Sequence, residues 1–227
     1  MKIGIICAVD TELKPFLPLI QNCKTSQKAM LTFYEGVINN TQVVAMYCGV
    51  GKTNAALATQ ILIDTYGVNA IVNSGTAGGM DVSLGLFDTV ICTEAVHHDV
   101  HEGILTQFQP WMPSVSIKAD KTLLEAAKKA AMQPSITNKI HFGKMVTGEK
   151  FIEDDGRDEI LSRFTPLTVD METASIAHVC YVNSIPYIAV RTITDTAAHK
   201  GTDNFEKNCP AASEISKSVV LGLLAEV

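Results

Sequence analysis

Short apolar runs rich in β-branched residues recur along the chain, each bounded by glycine, asparagine or charged residues. Runs of this kind are typical of strands that are buried on both faces of a sheet. Residues 30–48 contain two strand-like runs around Asn39-Asn40, which predicts a local antiparallel hairpin. Buried strands are predicted over residues 2–9, 42–48, 70–75, 89–96, 139–146, 166–170 and 186–194.

Several segments between these runs show the helical spacing of apolar residues instead. Residues 53–67 are rich in Ala and Leu and close on Gly67, and residues 121–132 are amphipathic. Further helices are predicted over 171–183 and 214–227. Strands that alternate with helices indicate an α/β fold, a three-layer αβα sandwich around a central mixed β-sheet. Because no linker, repeat or low-complexity tract divides the sequence, we expect residues 1–227 to form one domain.

Composition and charge narrow the choice of partner. Hydrophobic residues make up 47% of the chain and charged residues 19%, which supports a filled core and argues against disorder. A formal net charge of −6, with the charges scattered, provides no basic surface for nucleic acid. We therefore expect a small-molecule partner and neither nucleic acid nor a membrane.

The start of the chain and the cysteines predict a cytoplasmic protein. Asp10 and Glu12 occur where a signal peptide would carry small residues before its cleavage site. The six cysteines are far apart and include no C-x-x-C pair, so we expect reduced thiols: Cys7, Cys23, Cys48, Cys92, Cys180 and Cys209.

Three acids follow predicted strands at their carboxyl ends, where ligands usually bind in α/β sheets. They are Glu12, Glu172 and Asp195. Each also has a structural interpretation, since Glu12 and Glu172 would lie in first helical turns, where the helix dipole favours a carboxylate. Asp195 could cap the turn after its strand. We assign Asp170 to helix capping, which leaves Glu172 as the functional candidate, and convergence on one rim favours function.

Six motifs together resemble the 5′-methylthioadenosine/S-adenosylhomocysteine nucleosidases of the nucleoside phosphorylase superfamily. The Gly-rich runs alone would be weak evidence, but the order of the motifs and the carboxylates within them make a strong signal. The resemblance spans nearly the whole chain and implies a nucleoside phosphorylase-like fold. It runs from MKIGIICAVDTEL at the start through GVGKTNAA, VNSGTAGG, TGEKFI and VDMETASIAHVC to VRTITD.

The resemblance implies a division of labour between the acids. Cleaving the bond between adenine and ribose requires a proton on the base, stabilisation of the sugar and a nucleophile. Asp195 would be the general acid for N7 of adenine, which needs a raised pKa. Glu12 would activate water for attack on C1′, and Glu172 would accept hydrogen bonds from the ribose hydroxyls. Arg191 would hold the water or orient a carboxylate, or act as a structural ion-pair partner.

The remaining residues of the motifs would form the substrate pocket in relatives. Phe151 would stack on the purine, although plain core packing is the competing interpretation, and the backbone of Ile152 would pair with the adenine edge. Met171 would pack on the sugar. The other expected pocket residues are Val9, Val50, Thr76, Ala77, Gly78, Thr194 and the lid residue Phe205, which lies in a mobile-looking segment, AAHKGTDNF. No cofactor is implied, and a homodimer is implied only by the resemblance.

Two departures from the family pattern concern the pocket. Thr194 replaces the serine that commonly precedes the catalytic aspartate and keeps its hydroxyl. Residues 98–114, HDVHEGILTQFQPWMPS, differ from the family sequence that helps line the 5′-substituent pocket, partly across a dimer interface. The apolar residues of this segment still favour a thioalkyl tail: Ile104, Leu105, Phe108 and Trp111.

A histidine-rich stretch in the same segment suggests a metal site as an alternative. His97, His98, Asp99, His101 and Glu102 are all possible ligands. Strand alternation would direct His97 and His98 to opposite faces, and the resembling family uses no metal, so we expect none.

Three other functions remain open on the same fold. A nucleoside phosphorylase needs a cationic cradle for phosphate, but no arginine precedes Arg157, and Glu12 would repel the dianion. Lys52 is the early cation that keeps this alternative open. The altered 98–114 segment makes futalosine-type hydrolysis a second alternative. A non-catalytic nucleoside-binding module is the third, although all three expected carboxylates are present.

Overall fold

A computed structural model describes residues 1–227, apart from the side chain of residue 102. Its strands are β1 Lys2–Cys7, β2 Gln21–Lys28, β3 Leu31–Ile38, β4 Thr41–Tyr47, β5 Ala70–Gly79, β6 Thr89–His97, β7 Ile117–Lys118, β8 Ile140–Thr147, β9 Thr168–Asp170 and β10 Tyr187–Asp195. Its helices are α1 Asp10–Leu13, α2 Lys52–Tyr66, α3 Glu102–Gln107, α4 Lys121–Ala131, α5 Arg157–Phe164, α6 Thr173–Val182 and α7 Thr202–Leu224. All the predicted strands and helices are present, with some ends displaced.

One mixed sheet contains all ten strands, in the order β10-β6-β8-β9-β5-β1-β4-β3-β2, with β7 paired to β6. β1 pairs in parallel with β4 and β5, and β5 pairs in parallel with β10. The additional β10–β5 pairing closes β5, β10, β6, β8 and β9 into a ring. The sheet is therefore open at the β2 end and closed around β5, a feature that the strand pattern did not predict.

Helices pack on both faces of the sheet at β5. Asn73 accepts a hydrogen bond from the Thr173 hydroxyl of α6 at 2.9 Å, whereas Ser74 contacts Ser216 of α7 at 2.9 Å. Because successive strand residues point to opposite faces, α6 and α7 lie on opposite sides of the sheet. The predicted single-domain α/β fold with a central mixed sheet is confirmed, with helices on both sides of β5.

The predicted hairpin is confirmed, but it is part of a larger meander. β3 and β4 pair antiparallel, and Asn39 and Asn40 both have positive φ, as a tight two-residue turn requires. The sequence reasoning missed β2, whose residues QNCKTSQK are all exposed. A strand exposed on both faces carries no apolar alternation, so its hydrophobic pattern gives no signal.

Two predicted helix boundaries are wrong. Helix α7 begins at Thr202 rather than near residue 214, so the segment expected to be a mobile loop contains its first turns. Pro210 lies inside this helix, where it removes one backbone donor, and its neighbours Cys209 and Ala212 are buried. Helix α6 begins at Thr173, which places Glu172 at the N-cap rather than in the first turn.

The expectation of no membrane partner can be compared with the structure only through its helices. Among the helices of the described part of the chain, none combines the length and the apolar character needed to cross a bilayer. The cytoplasmic location expected from the sequence stays a prediction.

Candidate active site

A cavity of about 230 Å³ lies where β1, β5, β9 and β10 end. Apart from the apolar residues expected from the 104–111 segment, it is lined by every residue that the sequence predicted for the site: Val9, Glu12, Val50, Thr76, Ala77, Gly78, Phe151, Ile152, Met171, Glu172, Arg191, Thr194, Asp195 and Phe205. Residues that were not predicted to line it also contribute: Ala8, Lys150, Val169, Asp170, Thr202 and Glu206. The structure thus brings the predicted residues together, while their individual roles stay predictions.

Glu12 is a buried carboxylate that short hydrogen bonds hold in place. Its Oε1 accepts from the backbone N–H and the hydroxyl of Thr76 at 2.7 and 2.8 Å. Its Oε2 accepts from the backbone N–H groups of Ala8 at 2.8 Å and Val9 at 3.3 Å. The side chain therefore links the end of β1 to β5, with one fixed orientation toward the cavity.

A glycine on β5 makes room for this carboxylate. A Cβ atom at Gly75 would lie 2.5 Å from Oε1 of Glu12, a distance that no side chain can occupy. The small residues of GTAGG were expected to permit close approach of a ligand. At Gly75 the close approach is made by a catalytic candidate instead, which is a second reason for the glycine.

Arg191 is the centre of a buried charge cluster. Its guanidinium donates to Oε2 of Glu172 at 3.1 Å and to the backbone carbonyl of Thr76 at 3.1 Å. Asp170 and Glu12 lie at 3.6 and 4.0 Å from guanidinium nitrogens. One cation thus faces three carboxyl groups, and the role of Arg191 in catalysis or in structural ion pairing stays a prediction.

The excess of acids in this cluster perturbs Glu172. Burial raises its pKa to about 7, and the neighbouring Asp170 and Glu12 add to that rise, while Arg191 and the N–H of Gly51 oppose it. The Gly51 N–H donates to Oε1 of Glu172 at 2.9 Å. Glu172 is therefore held from two sides and changes its charge near neutral pH.

Asp170 caps the junction, as predicted, although it lies outside the helix. Its Oδ1 accepts from the backbone N–H groups of Glu172 and Thr173 at 3.0 Å each. The hydroxyls of Thr147 and Thr173 also donate to this carboxylate. Asp170 thereby fixes the backbone at Glu172 and lines the cavity as well, which the capping assignment did not predict.

The surroundings of Asp195 make its carboxyl group a weaker acid than an ordinary aspartate. Burial raises its pKa, and Glu153 adds to the rise, whereas Thr194 and Arg157 oppose it. Among the described residues, only the Thr194 hydroxyl donates a hydrogen bond to this carboxyl group, at 2.9 Å. A capping aspartate would accept backbone N–H groups, and no such hydrogen bond reaches Asp195 among the described residues, which favours the functional interpretation; its role stays a prediction.

A β-bulge aims the end of β10 at the cavity. The pairing of β10 with β5 shifts between Ile193 and Asp195, and Asp195 then pairs with Gly78. A Cβ atom at Gly78 would lie 2.9 Å from Oδ2 of Asp195. Bulges re-aim side chains in this way next to active sites, and the one-dimensional pattern gave no indication of it.

Two aromatic rings form the outer wall of the cavity. The rings of Phe151 and Phe205 meet edge to face, with centroids 6.3 Å apart and planes at 72°. Phe151 is 39% exposed, so the alternative that it is a core residue is wrong. Ile152, next in the chain, is buried. The pair adds apolar aromatic surface to the cavity wall, and the face of one such ring can stack on a purine.

The 104–111 segment does not line the cavity of this chain. Ile104, Phe108 and Trp111 are 49%, 75% and 58% exposed, whereas Leu105 packs inward. These three side chains, on and after α3, are exposed to solvent, so the expected apolar contribution to the 5′ side is absent from the cavity of the single chain.

As far as the structure describes them, neither Lys52 nor the histidine-rich 97–102 segment has the geometry that its alternative role requires, which is phosphate binding for the lysine and metal binding for the segment. Lys52 donates to both oxygens of Asp99 at 2.8 Å and does not line the cavity, so it supplies no phosphate cradle there. Among the described residues, no group of three or more His, Cys, Asp or Glu side chains could hold a metal ion. The His97 ring faces that of His178, while His98 lies against Gly148.

The comparisons with known proteins agree with this geometry. The family model described as the phosphorylase superfamily matches residues 2–225. The chain belongs to the phosphorylase superfamily. A 5′-methylthioadenosine/S-adenosylhomocysteine nucleosidase of Psychromonas ingrahamii is 36% identical over 97% of this chain and 96% of its own. By that similarity the chain also belongs to the family of these nucleosidases.

Two solved structures of this superfamily bear on the ligand. A 5′-methylthioadenosine/S-adenosylhomocysteine nucleosidase from Colwellia psychrerythraea, in complex with adenine, is 32% identical, with a TM-score of 0.91 over 100% of this chain and 95% of that one. Futalosine hydrolase of Helicobacter pylori is 26% identical, with a TM-score of 0.89 over 100% of this chain and 98% of that one. The fold is therefore common to a 5′-methylthioadenosine/S-adenosylhomocysteine nucleosidase and a futalosine hydrolase.

Proposed function

We propose that this protein hydrolyses the N-ribosidic bond of 5′-methylthioadenosine and S-adenosylhomocysteine, releasing adenine and the 5-thio-substituted ribose. The observation that carries the proposal is one cavity in which Glu12, Glu172 and Asp195 are buried and separately held. Similarity to nucleosidases over nearly the whole chain supports the same reaction.

The leaving group is the task of Asp195. Its raised pKa favours the protonated form, so the carboxyl group can donate to N7 as negative charge develops on adenine. Phe151 and Phe205 offer the apolar surface against which the purine stacks. The backbone of Ile152 pairs with the edge of the base, as in the resembling family.

The sugar and the nucleophile are the tasks of the two glutamates. Glu172, fixed by Gly51 and Arg191, accepts hydrogen bonds from the ribose hydroxyls and places C1′ toward Glu12. Glu12 accepts a proton from the attacking water, while Thr76 and the backbone at Ala8 prevent its rotation. Met171 packs beside the sugar. Proton transfers and water suffice for this reaction, so we propose that it needs no cofactor.

The charge of the cavity favours water over phosphate as the nucleophile. Arg191 is committed to Glu172, and the other lining cation is the exposed Lys150. Among the described lining residues, the carboxyl groups outnumber these cations: Glu12, Asp170, Glu172, Asp195 and Glu206. A phosphate dianion in this environment would be repelled.

A panel of nucleosides tests the proposed substrates. We expect adenine release from 5′-methylthioadenosine and S-adenosylhomocysteine, with higher kcat/KM for methylthioadenosine than for adenosine, because the predicted pocket for the 5′ group is apolar. Inosine and futalosine serve as controls, and free base is followed by chromatography. Preferential cleavage of futalosine would replace the proposed substrate, and cleavage of none would favour a binding module.

The pKa of Glu172 predicts a pH dependence that is specific to ribose. The ionised carboxylate of Glu172 accepts hydrogen bonds from two ribose hydroxyls better than its protonated form does. A protonated Glu172 must therefore lose its proton before the nucleoside binds, so nucleoside affinity should fall as pH drops through about 7. In the Asp195→Asn variant, methylthioadenosine should bind about tenfold more weakly at pH 6 than at pH 8 by calorimetry. Adenine, which lacks ribose, should show little change, and an equal change for both ligands would exclude Glu172 as the cause.

We also propose a homodimer. The exposed side chains of Ile104, Phe108 and Trp111 form an apolar surface on and after α3, and the cavity lacks the 5′ wall that this segment supplies in relatives. Light scattering on the purified protein should give twice the mass of the 24.5 kDa chain. Phe108→Glu should shift the protein toward monomer and raise KM for methylthioadenosine more than for adenosine, whereas a monomeric wild-type protein would reject the proposal.

A further inference from the structure

Arg157 is a buried cation that lacks a carboxylate partner at ion-pair distance among the described residues. It is the first residue of α5 and only 8% exposed. Its Nη2 donates to the backbone carbonyls of Gly79 and, at 3.2 Å, Met80. Burying a guanidinium without a carboxylate partner is costly, so its place in the fold calls for a functional explanation.

The backbone that Arg157 holds is the segment against which Asp195 lies. Gly79 and Met80 directly follow Gly78, which pairs with Asp195 across the bulge. The carboxyl oxygen Oδ2 of Asp195 would be 2.9 Å from a Cβ atom at Gly78, and its backbone oxygen 3.4 Å from one at Gly79. Any movement of this segment would therefore change the position of the Asp195 side chain.

Two charged side chains act on the Asp195 carboxyl group in opposite directions. The Arg157 guanidinium lowers the pKa of Asp195, and Glu153, from the loop before α5, raises it. The Thr194 hydroxyl, which is neutral, also lowers it. Burial is the largest influence and raises the pKa of Asp195. Arg157 opposes that rise, and Glu153 adds to it.

We propose that Arg157 is a positioning residue for the general acid, one that holds the 78–80 backbone against Asp195 and stabilises the carboxylate formed when Asp195 gives up its proton. The inference rests on the proposed function. As the C1′–N bond breaks, its electron pair passes to the purine, and the proton of Asp195 bonds to the purine nitrogen. Asp195 becomes an anion at that moment, while the attacking water bonds to C1′ and gives its proton to Glu12.

The stabilisation is specific to the transition state. A fixed cation whose charge acts on the Asp195 carboxyl group stabilises the carboxylate that develops only during the reaction, which lowers the barrier without strengthening ground-state binding. Removing the charge of Arg157 should therefore lower kcat more than it changes KM. It should also leave Asp195 protonated to higher pH, because the ionised form has lost a partner.

The test is the dependence of kcat on pH for a matched set of variants. In wild type, kcat should decline at alkaline pH as Asp195 loses its proton. Arg157→Gln retains a donor for the carbonyls without the charge, and we expect about a tenfold lower kcat, a fraction of the 10²–10⁴-fold contribution of a general acid. Its alkaline decline should move to higher pH. Arg157→Lys keeps the charge and should decline near the wild-type pH, and Glu153→Gln should decline at lower pH.

A double variant separates this role from a structural one. In the Asp195→Asn background, Arg157→Gln should reduce kcat little further, because the group that it acts through is gone. An unmoved alkaline decline in Arg157→Gln, or an equal loss in both backgrounds, would overturn the proposal. If Arg157→Gln fails to fold, the other two variants still test the proposal. An alkaline decline of kcat that is displaced in Arg157→Lys, or one that is not displaced in Glu153→Gln, contradicts the proposal.

These outcomes are distinct from a failure of the proposed function. If wild type releases adenine and Asp195→Asn does not, the function stands whatever Arg157 does. If Asp195→Asn retains full kcat, the general acid itself has been assigned wrongly.

Discussion

Replacing Asp195 by asparagine is expected to lower kcat by roughly 10²–10⁴-fold, the usual scale for loss of a general acid. Asparagine keeps the size of the side chain, and its oxygen can still accept the hydrogen bond that the Thr194 hydroxyl donates. It has no acidic proton for the departing adenine. Because the loss occurs in the transition state, kcat should fall while ligand binding largely survives.

Asp154 provides a matched control for this substitution. It is an exposed aspartate that pairs with Lys200 and does not line the cavity, so Asp154→Asn should retain nearly the wild-type kcat. Kinetics on both folded variants at pH 7, following free adenine, make the comparison. Near-full kcat in Asp195→Asn with adenine still released would mean that the proton comes from another group.

Replacing Arg191 by methionine is expected to destabilise the protein by about 3–5 kcal/mol, the scale for removing one partner of a buried ion pair. The variant leaves Glu172, Asp170 and Glu12 buried without their common cation. Urea unfolding of wild type and variant measures the difference in the free energy of unfolding.

The sign of the pH dependence follows from the carboxyl groups. Without Arg191, the pKa of Glu172 in the folded protein rises further. A carboxyl group whose pKa is higher in the folded than in the unfolded state makes the fold less stable as pH increases from the unfolded-state pKa through the folded-state pKa. The penalty of Arg191→Met should therefore be larger at pH 8 than at pH 5. A penalty that is equal at both pH values would show that lost packing, rather than charge, is the cause.

Arg163 is the matched surface control. It pairs with Glu159 on α5 at 3.2 Å, and both side chains are substantially exposed. Exposed pairs contribute about 0–1 kcal/mol, so Arg163→Met should cost no more than about 1 kcal/mol at either pH. A similar loss in both arginine variants would contradict the importance that we assign to the buried cluster.

The sequence predicted the site well because its signals are local. Glu12 lies shortly after the buried strand β1 and Asp195 is the last residue of the buried strand β10, and such strands produce clear apolar runs. In an α/β sheet the carboxyl ends of parallel strands share one rim, so residues distant in the chain could be placed together. The family motifs then marked residues such as Phe151, for which periodicity alone would have favoured core packing.

What the sequence did not reveal depends on contacts between distant elements. The β10 bulge and the ring closed by β10 and β5 arise from pairing, which no single strand encodes. Arg157 donates to carbonyls 77 and 78 residues away, and a lone arginine near a helix start gives no signal of that. The first half of α7 was missed because its polar residues and Pro210 resemble a loop, whereas tertiary burial stabilises the helix.

The central claim is that water, rather than phosphate, attacks the ribose in this acidic cavity. The most direct measurement compares methylthioadenosine cleavage in phosphate-free buffer and in buffer with added inorganic phosphate, with the sugar product identified by mass spectrometry. We predict equal rates of adenine release and a free 5-methylthioribose in both. Strict dependence on phosphate, with a sugar 1-phosphate as product, would contradict the account.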